Sequence, residues 1–92
     1  MAKYKIYFKK SVNKDFKTIP RKDVAKILQR IGSLNKEPRP PGCEKLTSHE
    51  GYRISHGHYR ILYSIQDNKH CIWIVKIAHR KEFIPSGLID YH

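Results

Sequence analysis

Apolar and polar residues alternate along two neighbouring stretches near the middle of the chain, on either side of a short glycine-containing turn. Alternation with a period of two predicts two β-strands, each with one buried face, and the turn joins them in a hairpin. A two-residue loop at Gly57-His58, with Gly57 at a positive φ, places Ile54 opposite Ile61 and keeps one face of the hairpin apolar. A turn shifted by one residue would place Ile54 opposite Arg60, so the pattern favours the first register.

The other stretches predict a strand and two helices before the hairpin and one strand after it. Residues 3–8 alternate like a half-buried strand, and Ser11 is suited to the N-cap of a short helix that follows. Pro20 fits the first turn of a second helix, whose apolar residues recur at the spacing of an amphipathic helix. These residues are Val24, Ile27, Leu28, Ile31 and Leu34. Three prolines predict an extended linker over 37–42, and residues 70–78, apolar on both faces, predict a strand in the interior of a sheet.

This order of elements, β-α-α-β-β-β, predicts a single α+β domain over residues 1–92. We expect the sheet to be antiparallel, with its last three strands in a meander and both helices packed on one face. The opposite face would be free for a ligand, and the predicted hairpin register places Arg53, Ser55 and Arg60 on it. Arginine is suited to bidentate phosphate binding because its guanidinium group is planar and always charged.

The chain carries a large excess of positive charge, with 19 Lys and Arg against 8 Asp and Glu and a formal net charge of +11. Ten of the basic residues, against two Asp, fall within residues 1–30. Such a balance indicates a polyanionic partner: a nucleic acid, an anionic membrane surface or an acidic protein. Lys22 and Lys26 lie on the polar face of the second predicted helix, which is either a solvated surface or a docking surface for RNA.

Several classes of protein and site are disfavoured by the sequence. No stretch approaches the roughly 18 apolar residues of a membrane span, and the N-terminus lacks the apolar core of a secretion signal, so we expect a cytoplasmic protein. Cys43 and Cys71 lie far apart without a metal-binding spacing, and we expect them to be unlinked. His56 and His58 do not predict a metal site, because no third ligand stands at a suitable spacing.

Two motifs occur together in the second half of the chain. The hairpin reads Tyr-Arg-Ile at 52–54 and Gly-x-Tyr-Arg-Ile-Leu-Tyr at 57–63, and the last strand closes with Ile-x-His-Arg-Lys-Glu at 77–82. With this combination the chain resembles, over nearly its whole length, the RelE/ParE superfamily of bacterial and archaeal toxins. The resemblance is closest to the RelE-type messenger RNA interferases. It implies a RelE-like fold of the microbial-ribonuclease type.

The resemblance also implies a function. Such a chain would be the toxin of a type II toxin–antitoxin system, held inactive by a cognate RelB-like antitoxin. It would act with the 70S ribosome, cleaving messenger RNA in the A site by attack of a 2′-hydroxyl on the neighbouring phosphate. Neither a metal ion nor any other cofactor is implied.

Roles for individual residues follow from the resemblance by position. Arg53, Arg60 and Arg80 match basic residues that hold and neutralise the scissile phosphate, where guanidinium groups would stabilise the charge that builds on the phosphorane. For proton transfer we expect His79, a residue type that exchanges protons near neutral pH, or Glu44, which resembles a glutamate of the YoeB-type relatives. Further RNA contacts are expected at Ser55, His56, His58, Lys81, Lys22 and Lys26.

Two departures from the family pattern bear on proton transfer. Some relatives have a second basic residue where Ser55 stands, and many have a tyrosine where Ile84 stands. Neither residue of this chain carries protons at neutral pH, so the transfer would depend on the histidine or the glutamate named above. The C-terminal Tyr91 and His92 resemble the His-Tyr ending of YoeB-type chains and are a further possible source of a proton carrier.

Two other functions stay open at the level of sequence. A ParE-like member would bind DNA gyrase and cleave no RNA, but it would need no phosphate-binding arginine cluster, so the retention of all three arginines counts against it. A catalytically weak relative that only binds RNA or the ribosome would be consistent with the missing tyrosine.

Overall fold

The computed structural model describes residues 3–46 and 51–81, and within them the chain forms five strands, two α-helices and one short 3-10 helix. The elements are β1 (Lys5–Phe8), α1 (Lys10–Lys17), α2 (Arg21–Ser33), β2 (Glu44–Lys45), β3 (Gly51–His56), β4 (Tyr59–Gln66), the 3-10 helix (Asp67–Lys69) and β5 (Cys71–His79). The prediction of an α+β fold is confirmed. The expectations for Ile84, Tyr91 and His92 concern positions outside the described residues.

The β3–β4 hairpin has the predicted register. Ile54 pairs with Ile61, and Ser55 pairs with Arg60. Gly57 takes a φ of 60° in the turn, a conformation that glycine adopts without a steric penalty. The alternation of the strands and the chemistry of the turn therefore determine which side chains of the hairpin share a face.

The order of strands in the sheet is β1-β5-β4-β3-β2, and two of its pairings differ from the predictions. β3, β4 and β5 form the expected antiparallel meander, but β1 lies parallel to β5, with Tyr7 opposite Trp73, so the sheet is mixed rather than wholly antiparallel. The two-residue β2, which was not predicted as a strand, pairs with β3 at the other edge. Both pairings join segments that are distant in sequence or very short, so periodicity does not encode them.

Both helices pack on one face of the sheet, as predicted. α1 packs against β5 and α2 against β3, and a single apolar cluster fills the space between the layers. Its buried members are Val12, Ile19, Ile27, Ile31, Leu34, Ile54, Ile61, Tyr63, Ile65, Ile72, Ile74 and Ile77. The prediction that Leu28 belongs to this layer is wrong, because it is 43 % exposed. It lies about 100° around the helix from Ile27, beyond the strip that meets the sheet.

The first helix begins directly where β1 ends. The prediction of Ser11 as its N-cap is wrong, because the helix starts at Lys10 and Lys9 occupies the N-cap. The Lys9 amide donates a hydrogen bond of 3.0 Å to the Ile74 carbonyl, so pairing with β5 continues up to the helix and leaves no loop for a polar cap. Further along α1, the Asp15 carboxylate accepts a hydrogen bond of 3.1 Å from the backbone amide of Ile77.

Two further expectations were that the cysteines are not linked and that no segment is apolar enough to span a membrane. Cys43 and Cys71 are free thiols, as predicted. In the described part of the chain, neither helix combines the length and the apolar character needed to cross a membrane.

The face of the sheet opposite the helices, which we call the open face, carries the alternate residues of each strand. On β4, Ile61, Tyr63 and Ile65 are buried towards the helices, so Arg60 points the other way. No helix among residues 3–46 and 51–81 covers the open face. Its members include Arg53, Ser55 and Arg60 near the hairpin turn and Tyr7 and Trp73 nearer the β1 edge.

Candidate functional site: the basic corner of the open face

Two arginines of the hairpin lie close together on the open face. Arg60 pairs directly with Ser55 on one side and with Ala78 on the other. Arg53 is two residues from Ser55 along β3, which places it on the same face. Both arginines are half-buried. Each is carried by an interior strand with pairing partners on both sides, so the sheet fixes the backbone from which each side chain extends.

The third arginine joins this corner from the end of β5. The Arg80 amide donates a hydrogen bond of 2.6 Å to the carbonyl of His58, which continues the β4–β5 ladder past the last strand residue. Arg80 lies in the turn that follows β5, two residues beyond Ala78, the partner of Arg60, so its backbone is held near Arg60 at the hairpin end of the sheet. We call Arg53, Arg60 and Arg80 the arginine corner. The register of the sheet places Arg53 and Arg60 on one face, and Arg80 follows at the same end of the sheet.

Glu44 enters the arginine corner through the short strand β2. It is the direct cross-strand partner of Arg53, and its Oε1 forms a salt bridge with the Arg53 guanidinium group. The arginine side chain is 24 % exposed and the glutamate 60 % exposed, so the carboxylate lies on the solvent side of the pair. A carboxylate is therefore already placed beside one of the groups expected to bind phosphate. Glu44 was a candidate by resemblance, and no sequence pattern indicated its pairing with Arg53.

His79 points away from the arginine corner. It pairs with Tyr59 on β4, whose hydroxyl lies 3.4 Å from the Asp23 carboxylate on α2, so both side chains face the helix side. The His79 ring makes an edge contact with Tyr59 and stacks on His58, with centroid distances of 5.5 and 5.8 Å. Its Nδ1 accepts a hydrogen bond of 3.1 Å from the Lys81 amide, so the neutral ring carries its proton on Nε2. The sequence places His79 beside Arg80, but His79 is the last residue of β5 and faces the helix side, away from Arg60.

The other expected RNA contacts fall in three places. Ser55 lies on the open face opposite Arg60, whereas His56, the partner of Tyr59, lies on the helix side. His58 and Lys81 are exposed at the end of the sheet that carries the arginine corner. Lys22 and Lys26 are exposed on α2, on the far side of the sheet. These two lysines therefore cannot contact the same phosphate as the arginine corner.

Among the described residues, no three His, Cys, Asp or Glu side chains lie close enough together to bind one metal ion. The positive charge of the site comes instead from guanidinium groups, which present donors in a fixed plane that matches a phosphate.

A polar cluster that the sequence analysis did not single out holds the loop before β2. Arg39 donates hydrogen bonds of 2.9 and 3.3 Å to the two carboxylate oxygens of Asp67 and one of 3.0 Å to the Tyr52 hydroxyl. Tyr4 donates a further bond of 2.7 Å to Asp67. The bonds from Arg39 and then from Tyr4 lower the pKa of the Asp67 carboxyl. The cluster borders a cavity of about 280 Å³. Its hydrogen bonds connect the loop before Glu44 to the sheet. Arg39 lies between two prolines and belongs to no periodic pattern, so the sequence does not predict its hydrogen bonds to Asp67 and Tyr52.

Comparison with known proteins gives a consistent family and fold. Residues 6–83 match the model of a family described as the ParE toxin of the type II toxin–antitoxin system parDE. The chain is similar to an archaeal RelE–RelB complex from Pyrococcus horikoshii OT3, with 26 % identity and a TM-score of 0.78, over 88 % of this chain and 99 % of that one. It is also similar to the RelBE2 toxin–antitoxin complex from Mycobacterium tuberculosis, with 25 % identity and a TM-score of 0.75, over 85 % and 99 %. A third is the RelB–RelE antitoxin–toxin complex from Methanococcus jannaschii, with 28 % identity and a TM-score of 0.61, over 82 % and 91 %. None of the curated protein sequences matches the chain.

Proposed function

Because the matching family model spans residues 6–83, this chain belongs to the ParE toxin family of type II toxin–antitoxin systems, and we propose that it is a ribosome-dependent endoribonuclease. The family match and the RelE structures confirm the resemblance to the RelE/ParE superfamily. The observation that carries the proposal is the arginine corner, in which Arg53 and Arg60 share the open face and Arg80 follows at the same end of the sheet.

The proposed reaction is cleavage of messenger RNA in the ribosomal A site without a metal ion. The 2′-oxygen forms a bond to the adjacent phosphorus, the bond from phosphorus to the 5′-oxygen breaks, and a 2′,3′-cyclic phosphate and a 5′-hydroxyl result. Negative charge on the phosphoryl oxygens is greatest in the transition state, so preplaced guanidinium groups stabilise that state more than the substrate. Arg53, Arg60 and Arg80 would supply this stabilisation, with Ser55 donating a neutral hydrogen bond beside Arg60.

Two protons must move in this reaction, one from the 2′-hydroxyl and one to the leaving 5′-oxygen. Glu44 shares the open face with the arginines, and a phosphate that takes its place on Arg53 would release its carboxylate next to the substrate. We assign it the role of base. His79 lies on the helix side at the end of β5, so a strand that passes around the end of the sheet would be needed to reach it. It is the candidate for the acid.

Replacement of Glu44 by glutamine tests this assignment. We expect single-turnover cleavage on ribosomes to fall by about 10²-fold or more, the typical contribution of a general base, while binding of RNA stays equal or becomes tighter because Arg53 loses its competing carboxylate. Cleavage that persists at the wild-type rate would contradict the role of base and leave Glu44 as a counterion. His79→Gln, measured in parallel over a range of pH, shows whether the loss belongs to the histidine instead.

The proposed partners are the 70S ribosome, messenger RNA and a RelB-like antitoxin. The three similar structures described above are complexes of RelE toxins with RelB antitoxins, which supports an antitoxin of that kind for this chain. The ribosome and messenger RNA follow from the proposed reaction. Lys22 and Lys26 face away from the arginine corner, so we assign them to docking on ribosomal RNA rather than to the cleaved strand.

The docking role of α2 predicts a change in salt dependence. The double variant Lys22→Gln, Lys26→Gln should weaken ribosome binding and reduce the slope of log affinity against log salt by about one to two, because fewer counterions are released. A matched double variant at two exposed lysines elsewhere, Lys36→Gln and Lys69→Gln, should change the slope less. Equal slopes for the two double variants would show that only net charge matters.

A second candidate function is inhibition of DNA gyrase, which the match to the ParE family model favours. The deciding experiment combines messenger RNA with purified ribosomes in the presence of a chelator and maps cuts by primer extension. We expect cuts in A-site codons. If a folded protein makes none and instead inhibits gyrase supercoiling, the ribonuclease proposal fails.

A further inference from the structure

Two aromatic rings stack on each other on the open face, with Tyr7 as the more exposed of the two. Tyr7 on β1 and Trp73 on β5 are direct partners in the parallel pairing, and their rings stack with centroids 4.9 Å apart and planes 24° apart. Tyr7 is 41 % exposed and Trp73 is half-buried. The neighbouring Phe8 faces the other way and contacts Phe16 of α1. The stack is therefore separate from the core and reachable from solvent.

Positive charge surrounds this stack. The Lys9 ammonium lies 5.6 Å from the centre of a Trp73 ring, and Lys5, two residues from Tyr7, is exposed on the same face of β1. The lysine over the indole ring and the lysine beside Tyr7 would attract the backbone of a strand whose base stacks on the exposed Tyr7 ring. Aromatic surfaces bordered by basic side chains are typical of sites that bind unpaired nucleic acid.

The stack and the arginine corner lie on one continuous surface. Trp73 pairs with Ser64 on β4, and Arg60 is four residues from Ser64 on the same strand and the same face. At 3.3 Å per residue the separation along β4 is about 13 Å. An extended strand bound at the arginine corner would reach the rings within a few nucleotides.

From this arrangement we infer that Tyr7 and Trp73 are a stacking platform for an unpaired base of the RNA strand whose scissile phosphate lies at the arginine corner. The inference rests on the proposed function, since it assumes that the open face carries RNA. A cross-strand aromatic pair also stabilises a sheet, but that role alone needs neither the exposure of Tyr7 nor the lysines. RNA is favoured over an acidic protein because a base offers a π-face to the exposed ring as well as charge to the lysines.

The experiment uses the fluorescence of Trp73, which is the only tryptophan of the chain. The probe is a short single-stranded RNA with 2′-O-methyl riboses, which cannot be cleaved because the attacking hydroxyl is blocked. We expect saturable quenching of Trp73, and we expect Tyr7→Ala to weaken binding by about 5- to 150-fold, the usual effect of losing one base–aromatic stack. A strand of the same length without bases should bind more weakly and leave the emission nearly unchanged.

Matched variants keep the result interpretable. Tyr7→Phe should retain binding, because the ring remains, and Phe8→Leu, on the helix side, should behave like the wild type. If Tyr7→Ala lacks a native circular dichroism spectrum, Tyr7→Leu replaces it. Absence of quenching, equal quenching by the strand without bases, or unchanged affinity in the Tyr7 variant overturns the inference. So does a Tyr7 variant that loses affinity for the antitoxin but not for the RNA.

The same variants separate this inference from the proposed function. Arg60→Ala should lower the rate of cleavage on ribosomes by about 10²- to 10³-fold, while quenching of Trp73 by the blocked strand persists. If the wild-type protein cuts no messenger RNA but the strand still quenches Trp73 in a Tyr7-dependent way, the ribonuclease proposal fails and the platform stands. If cleavage occurs and quenching does not, the platform fails and the ribonuclease proposal stands.

Discussion

Replacing either Arg60 or Arg80 with alanine is expected to lower the single-turnover rate of messenger RNA cleavage on saturating ribosomes by about 10²- to 10³-fold. Each guanidinium would stabilise charge that is greatest in the transition state, so the loss should appear in the rate of the bound complex rather than in affinity. Primer extension at short times measures this rate. Growth arrest on expression should be lost in parallel.

The control for these variants removes one positive charge from the same sheet without touching the open face. Lys45 is exposed on β2, next to Glu44 and therefore on the opposite side of the strand. Lys45→Ala should cleave at nearly the wild-type rate. Arg60→Ala and Arg80→Ala should keep the wild-type circular dichroism spectrum and still bind the antitoxin. A cleavage rate in Arg60→Ala or Arg80→Ala that matches Lys45→Ala would remove the arginine corner from the mechanism.

The double variant Arg60→Ala, Arg80→Ala tests whether the two groups act on one phosphate. Residues that act as a unit show strongly non-additive losses. We therefore expect the double variant to be only slightly slower than the more impaired single variant. Multiplied losses would indicate that Arg60 and Arg80 bind separate phosphates, one of which is not cleaved.

A second large effect is expected from Ile61→Ala, which should lower the free energy of unfolding by about 2–5 kcal/mol. Ile61 is fully buried and lies opposite Ile54 in the hairpin that carries Arg53 and Arg60. Truncation leaves a cavity between the sheet and the helices, and in a domain of this size Tm should fall by about 10 °C or more. Thermal and urea unfolding, followed by circular dichroism, measure the change.

Leu62→Ala is the matched control for Ile61→Ala, because Leu62 is the next residue of β4 and lies half-buried on the open face. It should cost clearly less than Ile61→Ala. If Ile61→Ala does not fold, Ile61→Val, with an expected cost of about 0.5–1.5 kcal/mol, provides the comparison. A larger cost at Leu62 than at Ile61 would mean that the faces of the hairpin have been assigned the wrong way round.

The local elements were predictable because short-range periodicity and turn chemistry encode them. Alternation on both sides of Gly57 was enough to predict the pairing of Ile54 with Ile61 and the common face of Arg53 and Arg60, and both are seen. The buried stripe of α2 was predicted apart from Leu28. The prediction of Ser11 as the N-cap of α1 was wrong because the pairing of β1 with β5 continues up to the helix. This long-range contact overrides the local preference for a polar cap.

The roles of His79 and Glu44 show how far a motif can be interpreted without a structure. The sequence His79-Arg80 suggested a common site, although alternation along β5 already places His79 on the face opposite to that of Ala78 and Arg60. In the structure, the His79 ring contacts the rings of Tyr59 and His58. Glu44 was chosen by resemblance alone, and only the pairing of β2 with β3 places it beside Arg53.

By itself the sequence determined the class of fold, the register of the hairpin, the basic character of the chain and the grouping of two arginines on one face. Each of these depends on residues that are close in sequence, where a period of two or of 3.6 decides which side chains meet. Only the tertiary structure decided that β1 lies parallel to β5 and that β2 joins the sheet, and with them the stack of Tyr7 on Trp73 and the pairing of Glu44 with Arg53. Periodicity specifies which face of a strand is buried, whereas the neighbour of a strand depends on packing between distant segments of the chain.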